Sequence, residues 1–100
     1  MSDPTDRDRR RETAITVRYW AGARAAAGTA EDVFDVAGTE LTLADVVDLV
    51  LERHPGDRMA RTVAVCSVLL GEQPVGSRDP GAVVVPPGTV VELLPPFAGG

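Results

Sequence analysis

A chain of 100 residues with a formal net charge of −5 is sized for one domain, and an acidic domain without a basic face is a poor nucleic-acid candidate. Hydrophobic residues at 44% and charged residues at 25% fit an ordinary globular protein, and no apolar run approaches the ~20 residues of a membrane span. The lone cysteine, Cys66, excludes an internal disulfide and a zinc site built from several cysteines, in keeping with a reducing cytoplasm.

A chain this short buries only roughly 60–65% of its unfolded surface, enough for a modest core but not for a deep substrate pocket. All ten basic residues are Arg, so no side-chain amine is available for acylation. The opening stretch has no apolar segment of a secretory signal.

In chain order, residues 1–12 are polar and charge-dense, with Arg7, Arg9, Arg10 and Arg11 clustered, and read as a disordered arm. Order is expected from Thr13. Ala14 to Trp20 alternates as a strand, with Ile15, Val17 and Tyr19 on one face and Thr16, Arg18 and Trp20 on the other. The alanines of residues 21–28 predict a short helix stopped by Gly28. Glu31 to Ala37 reads as a second strand.

Leu43, Val46, Val47, Val50 and Leu51 share one face of the main helix, which Thr42 and Asp45 can cap at its start and Pro55-Gly56 must end. One further turn is expected over Asp57 to Arg61. Val63 to Leu70, a nearly continuous apolar run, predicts a central strand buried on both faces. Residues 72–80 are turn-rich, residues 82–85 a short edge strand, and residues 90–94 the last strand, ended by Pro95 and Pro96. The expected fold class is α+β: one main helix across a mixed sheet of four to five strands, a β-grasp (ubiquitin-like) roll over residues 13–94.

No constellation for independent catalysis stands out. Cys66 lies in the apolar run and reads as a buried structural thiol. His54 falls at a helix C-terminus, where it complements the dipole. No metal-ligand spacing or phosphate loop is present, so no bound cofactor is expected.

The informative segment is the tail, residues 95–100. Pro95 and Pro96 fix the backbone and make the chain leave the sheet extended. The six residues from Pro95 reach at most about 20 Å at ~3.3 Å each. Gly99 and Gly100 have no side chains, so the pair can enter a channel too narrow for other residues and leaves a terminal carboxylate unshielded. A carboxylate is a poor electrophile, so a second protein must activate it.

These features resemble the MoaD family of ubiquitin-like sulfur carriers (MoaD/ThiS type), the small subunits of molybdopterin synthase. Residues 17–28 (VRYWAGARAAAG), 41–55 (LTLADVVDLVLERHP) and 86–100 (PPGTVVELLPPFAGG) carry the likeness, and Pro-Pro-x-x-Gly-Gly is its specific part. The resemblance implies that an E1-like adenylyltransferase uses ATP to adenylate Gly100. A sulfur donor, such as a rhodanese or cysteine desulfurase, then makes a thiocarboxylate. The molybdopterin synthase large subunit receives the tail and builds the dithiolene with its sulfur. On that mapping Gly100 carries the sulfur, Gly99 gives clearance, and Ala98, Phe97, Pro96 and Pro95 form the docking tail of a non-catalytic subunit. The family's usual residue at Phe97 is smaller and aliphatic. Leu70-Gly71-Glu72 and Pro87-Gly88-Thr89 also depart from its usual turns, Asn-Gly and Asp-Gly-Asp.

Three alternatives stay open: the same carrier chemistry for thiamine, cysteine or tRNA thiolation, a ubiquitin-like protein modifier, or a plain binding domain. The docking surface is expected on the sheet near the tail. Val90, Glu92 and Leu94 on one face compete with Val91 and Leu93 on the other, and the pattern does not choose between them.

Overall fold

The computed structural model describes residues 12–96. Eleven elements follow in order: β1 (Ala14–Tyr19), α1 (Ala21–Ala27), β2 (Glu31–Asp35), β3 (Leu41–Thr42), α2 (Leu43–Arg53), α3 (Asp57–Ala64), β4 (Ser67–Leu70), β5 (Gln73–Pro74), a 3-10 turn (Pro80–Ala82), β6 (Val84–Val85) and β7 (Val90–Leu94). Five strands form one mixed sheet in the order β2-β1-β7-β4-β5, and β3 pairs with β6 in a separate two-stranded ribbon. The last strand therefore sits at the centre. It runs parallel to β1, with Val17 opposite Val91 and Tyr19 opposite Leu93, and antiparallel to β4, with Val68 opposite Leu93. This is the β-grasp arrangement expected from the sequence.

The period of two in β1 decides which sheet face is covered. Ile15, Val17 and Tyr19 are buried together with Phe34, Val91 and Leu93, and helix α2 packs Leu43, Val46 and Val50 over them. Each such side chain contributes roughly 1.5–3 kcal/mol by leaving water. Helix α2 starts as predicted. The Asp45 amide donates to Thr42 Oγ1 at 3.2 Å, and the Thr42 amide donates to Asp45 Oδ2 at 3.0 Å, a complete capping box. Gly28 ends α1 in the left-handed region at φ 75°, its amide donating to the Arg24 carbonyl.

Several boundaries differ from expectation. Glu12, assigned to the arm, is already helical, while residues 1–11 lie outside the described residues. Strand β2 stops at Asp35, whose Oδ1 accepts from the Ala37 amide at 2.9 Å and turns the chain. The apolar run at residues 63–70 is not one strand. Its first residues complete α3, which buries Met59 and places Val63 one turn further on beside the core. The Cys66 amide donates back to the Val63 carbonyl at 3.1 Å, and β4 begins only at Ser67, half-buried rather than enclosed on both faces. A short apolar run has the same composition in a helix and in a strand, so periodicity could not place this break. Residues 80–82 form a 3-10 turn. Of the predicted edge strand only Val84–Val85 remains, paired with Leu41–Thr42, a ribbon too short to leave a pattern.

Between β4 and β5 the turn residues Gly71 and Glu72 both have positive φ, 51° and 72°. That is the signature of a two-residue type I′ hairpin, which Gly satisfies freely and Glu only at a cost of roughly 1 kcal/mol. Glu72→Gly should therefore raise stability, by about 0.5 kcal/mol after the extra unfolded-state entropy of glycine is subtracted. The midpoint of urea unfolding checks it. A lower midpoint would mean that the Glu72 side chain stabilises the turn.

Candidate functional site

The end of β7 positions everything that follows. Leu94 closes the strand, Pro95 is half-buried and Pro96 is exposed. Phe97, Ala98, Gly99 and Gly100 lie outside the described residues. The root of the predicted tail therefore emerges from the centre of the sheet, held on one side by β1 and on the other by β4.

The register decides the face that the sequence left open. Val91 and Leu93 point into the core at 0% and 1% exposure, so Val90, Glu92 and Leu94 belong to the outer, helix-free face. Around the tail root that face is laid out in rows. Leu94 has Ser67 opposite it on β4. On the β1 side, Trp20 is one step beyond the Tyr19–Leu93 pair, and its amide donates to the Leu93 carbonyl at 3.2 Å. The next row carries Glu31, Arg18, Glu92 and Leu69 across four strands.

Trp20 is the exposed aromatic of this surface, at 48%. Its indole Nε1 donates to Glu92 Oε1 at 3.2 Å, which fixes the ring beside the tail root. Arg18 lies 3.9 Å from Glu31, an exposed pair contributing little to stability. Val33, at 49%, extends the apolar part of this face along β2. Sequence alternation put Trp20 and Arg18 on one face but did not mark Trp20 as part of a site. The available signal was an aromatic on the polar face, with Thr16 and Arg18, at the end of the first predicted strand.

On the inner side, a polar cluster ties β1, β2 and the end of α2. The Tyr19 hydroxyl donates to Asp32 Oδ2 at 2.8 Å, His54 Nε2 bonds the same oxygen, and an Arg53 guanidinium nitrogen lies 3.5 Å from Oδ1. The Tyr19 and His54 rings meet edge to face at 5.6 Å. Burial works to raise the Asp32 carboxyl, but the hydrogen bonds from His54 and Tyr19, together with the positive charge of His54 and Arg53, outweigh it and hold the group below its ordinary value. Burial, then the bond to Asp32, pushes the Tyr19 phenol far above its usual range. His54 thus sits at a helix C-terminus as predicted, and its partner Asp32 is the residue that sequence reasoning missed. Nothing in the spacing of residues 32 and 54 predicts the pairing.

Cys66 is not inside a strand. It is half-buried between α3 and β4, its thiol donating to the Thr62 carbonyl at 3.2 Å, and burial raises the thiol above its usual value. That reduces its thiolate fraction and its nucleophilicity. No helix of the described residues is long and apolar enough to cross a membrane, and no cluster of three or more His, Cys, Asp or Glu among them could hold a metal ion.

No protein-family model matches the sequence, and no curated protein sequence matches it significantly. Solved structures do match. Small archaeal modifier protein 1 from Haloferax volcanii superposes with a TM-score of 0.70 at 22% identity, over 87% of this chain and 99% of that one. A putative molybdopterin converting factor subunit 1 from Pyrococcus furiosus gives 0.66 at 20%, over 84% and 98%. A chain in the complex of subunits 1 and 2 of the molybdopterin-converting factor from Helicobacter pylori gives 0.59 at 18%, over 87% and 99%. At these identities the likeness is one of fold, and it spans nearly the full length of each neighbour.

Proposed function

We propose that this chain is a sulfur carrier of the MoaD type, the small, non-catalytic subunit of a molybdopterin synthase, with Gly100 as the site of adenylation and thiocarboxylation. The observation that carries the reading is the central position of β7, which leads straight into Pro95-Pro96 and the Phe-Ala-Gly-Gly sequence. A strand bonded on both sides is a firm root for a thin tail, and the two prolines keep that tail extended as it leaves. The Pro-Pro-x-x-Gly-Gly pattern and the fold shared with a converting-factor subunit support the reading.

The division of labour follows from the chemistry. An E1-like adenylyltransferase spends ATP to make the Gly100 carboxylate electrophilic, a sulfur donor replaces the adenylate, and a large subunit takes the loaded tail. The subunit complex from Helicobacter pylori supports such a large-subunit partner. This chain supplies the tail and a surface to dock it; Gly99 and Ala98 keep the tail narrow, and Phe97 meets the receiving channel.

The test is whole-protein mass measurement after co-expression with an E1-like enzyme and a sulfur donor. A species heavier by the difference between sulfur and oxygen, mapped to Gly100, is expected. Its absence, with Gly-Gly remnants on lysines of other proteins instead, would replace the carrier with a protein modifier. That second reading is favoured by one observation, the fold shared with an archaeal modifier protein.

The partner that takes the tail must also meet Trp20, since adjacent strands lie only ~4.8 Å apart and Trp20 borders Leu94. Trp20→Ala removes an exposed ring and should leave the fold intact. It should raise the partner concentration needed for half-maximal loading about tenfold, as loss of an aromatic anchor worth ~1.4 kcal/mol would. An unchanged concentration dependence would place the docking contacts elsewhere.

A further inference from the structure

We propose that the apolar groove between α2, α3 and β4 is the resting seat of the chain's own tail, taking the Phe97 ring, with Arg78 at its rim receiving the Gly100 carboxylate. The proposal rests on the reading of Gly100 as the loaded residue, and it adds a state in which the tail is withheld from partners. The groove is lined by Val47, Val63, Cys66, Val68, Val75 and Arg78, among others, and has a volume of about 260 Å³. An apolar cavity of roughly 150 Å³ already accommodates benzene, so one phenyl ring fits.

Its position matches the tail. Ser67 lies opposite Leu94, and the Val75 amide donates to the Val68 carbonyl at 3.0 Å, so Cys66, Gly76 and the loop to Arg78 flank the end of the sheet from which Pro95 departs. Crossing from β7 to the groove spans one to two strand spacings, roughly 5–10 Å. Phe97, three residues past Leu94, reaches roughly 10 Å. The chemistry matches as well. The chain has two phenylalanines, and Phe34 is committed to the core under the Arg53 guanidinium. Arg78 Nε donates to the Val75 carbonyl at 3.0 Å, which holds the guanidinium at the rim, and no carboxylate of the described residues forms an ion pair with it. An aromatic ring followed three residues later by a carboxylate is complementary to an apolar groove with a fixed cation beyond it.

Parking lowers the fraction of carriers ready to dock, and the apparent affinity for an activating partner falls by that fraction. The groove contains the chain's one cysteine, so its reaction with a thiol reagent reports on the groove alone. In the full-length chain, Phe97→Ala should speed alkylation of Cys66 about tenfold, the factor that ~1.4 kcal/mol of lost cover gives. NMR of the wild-type chain should show proximity between the Phe97 ring and the methyls of Val63, Val68 and Val75, unchanged on dilution. Arg78→Gln should lower the partner concentration needed for half-maximal loading. Equal alkylation rates with no ring-to-methyl contacts would overturn the proposal, as would contacts that vanish on dilution, which would make a second copy the occupant. If Gly100 loads with sulfur and these signals are absent, the seat fails alone. If the signals are present and no thiocarboxylate forms, the carrier reading fails and the tail seat stands.

Discussion

Deletion of Gly100 is expected to abolish thiocarboxylate formation and to leave the domain folded. Both halves follow from where the fold ends. The core closes on Val91 and Leu93, and β7 is complete at Leu94. Gly100 is six residues further on and has no side chain to contribute to packing. Its carboxylate is nevertheless the group to be activated. Removing it places the next carboxylate, on Gly99, short of the position that a partner's active site would hold, by about one residue's reach of ~3.3 Å. A displacement of even ~1 Å can cost about a hundredfold in rate, so loading should fall below detection. Gly100→Ala keeps the reach and adds one methyl group, which tests the narrowness of the channel separately. Intact-mass measurement reads loading, and calorimetry reads the fold. A truncated chain that still supported molybdopterin synthesis would end the carrier reading.

The second large effect is on stability. Asp32→Asn should destabilise the domain by about 2 kcal/mol, since it removes the charge from hydrogen bonds shared by Tyr19 and His54 and from the Arg53 contact. For a domain of this size that lowers Tm by on the order of 10 °C. The pH dependence has a definite sign. Asp32 titrates below its ordinary value of 3.8 when folded. Its contribution is therefore fully present above that ordinary value and is lost as pH falls through the lower folded one. Wild-type stability should drop in that acid window, and Asp32→Asn should show a shallower drop there. Urea unfolding of both proteins across that window checks it. Parallel curves would show that the carboxylate charge contributes nothing to the cluster.

Much of this protein was determined by local sequence. The alternation in β1, the capping box and apolar face of α2, and the stop at Gly28 are short-range effects, dictated by side-chain period and backbone preference. They are enough to imply one helix across a mixed sheet. The end of β7 at Leu94 is legible too, because Pro95 and Pro96 act through their own covalent geometry.

Tertiary structure decided the rest. The run at residues 63–70 is apolar throughout, and only the packing of Met59 and Val63 on the core shows where helix gives way to strand. Residues 90–94 carry apolar side chains on both faces, Val90 and Leu94 on one and Val91 and Leu93 on the other, so their pattern leaves the choice open. Placing β7 between β1 and β4 under α2 is what buries Val91 and Leu93 and turns Glu92 and Leu94 outward beside Trp20. Asp32 and His54 are separated by 22 residues, and they meet because β2 and the end of α2 converge on Tyr19. Sequence by itself specified a small ubiquitin-like roll whose last strand ends at Pro95-Pro96. Which surface borders the end of β7 depends on long-range pairing, a contact between distant segments that no local window contains.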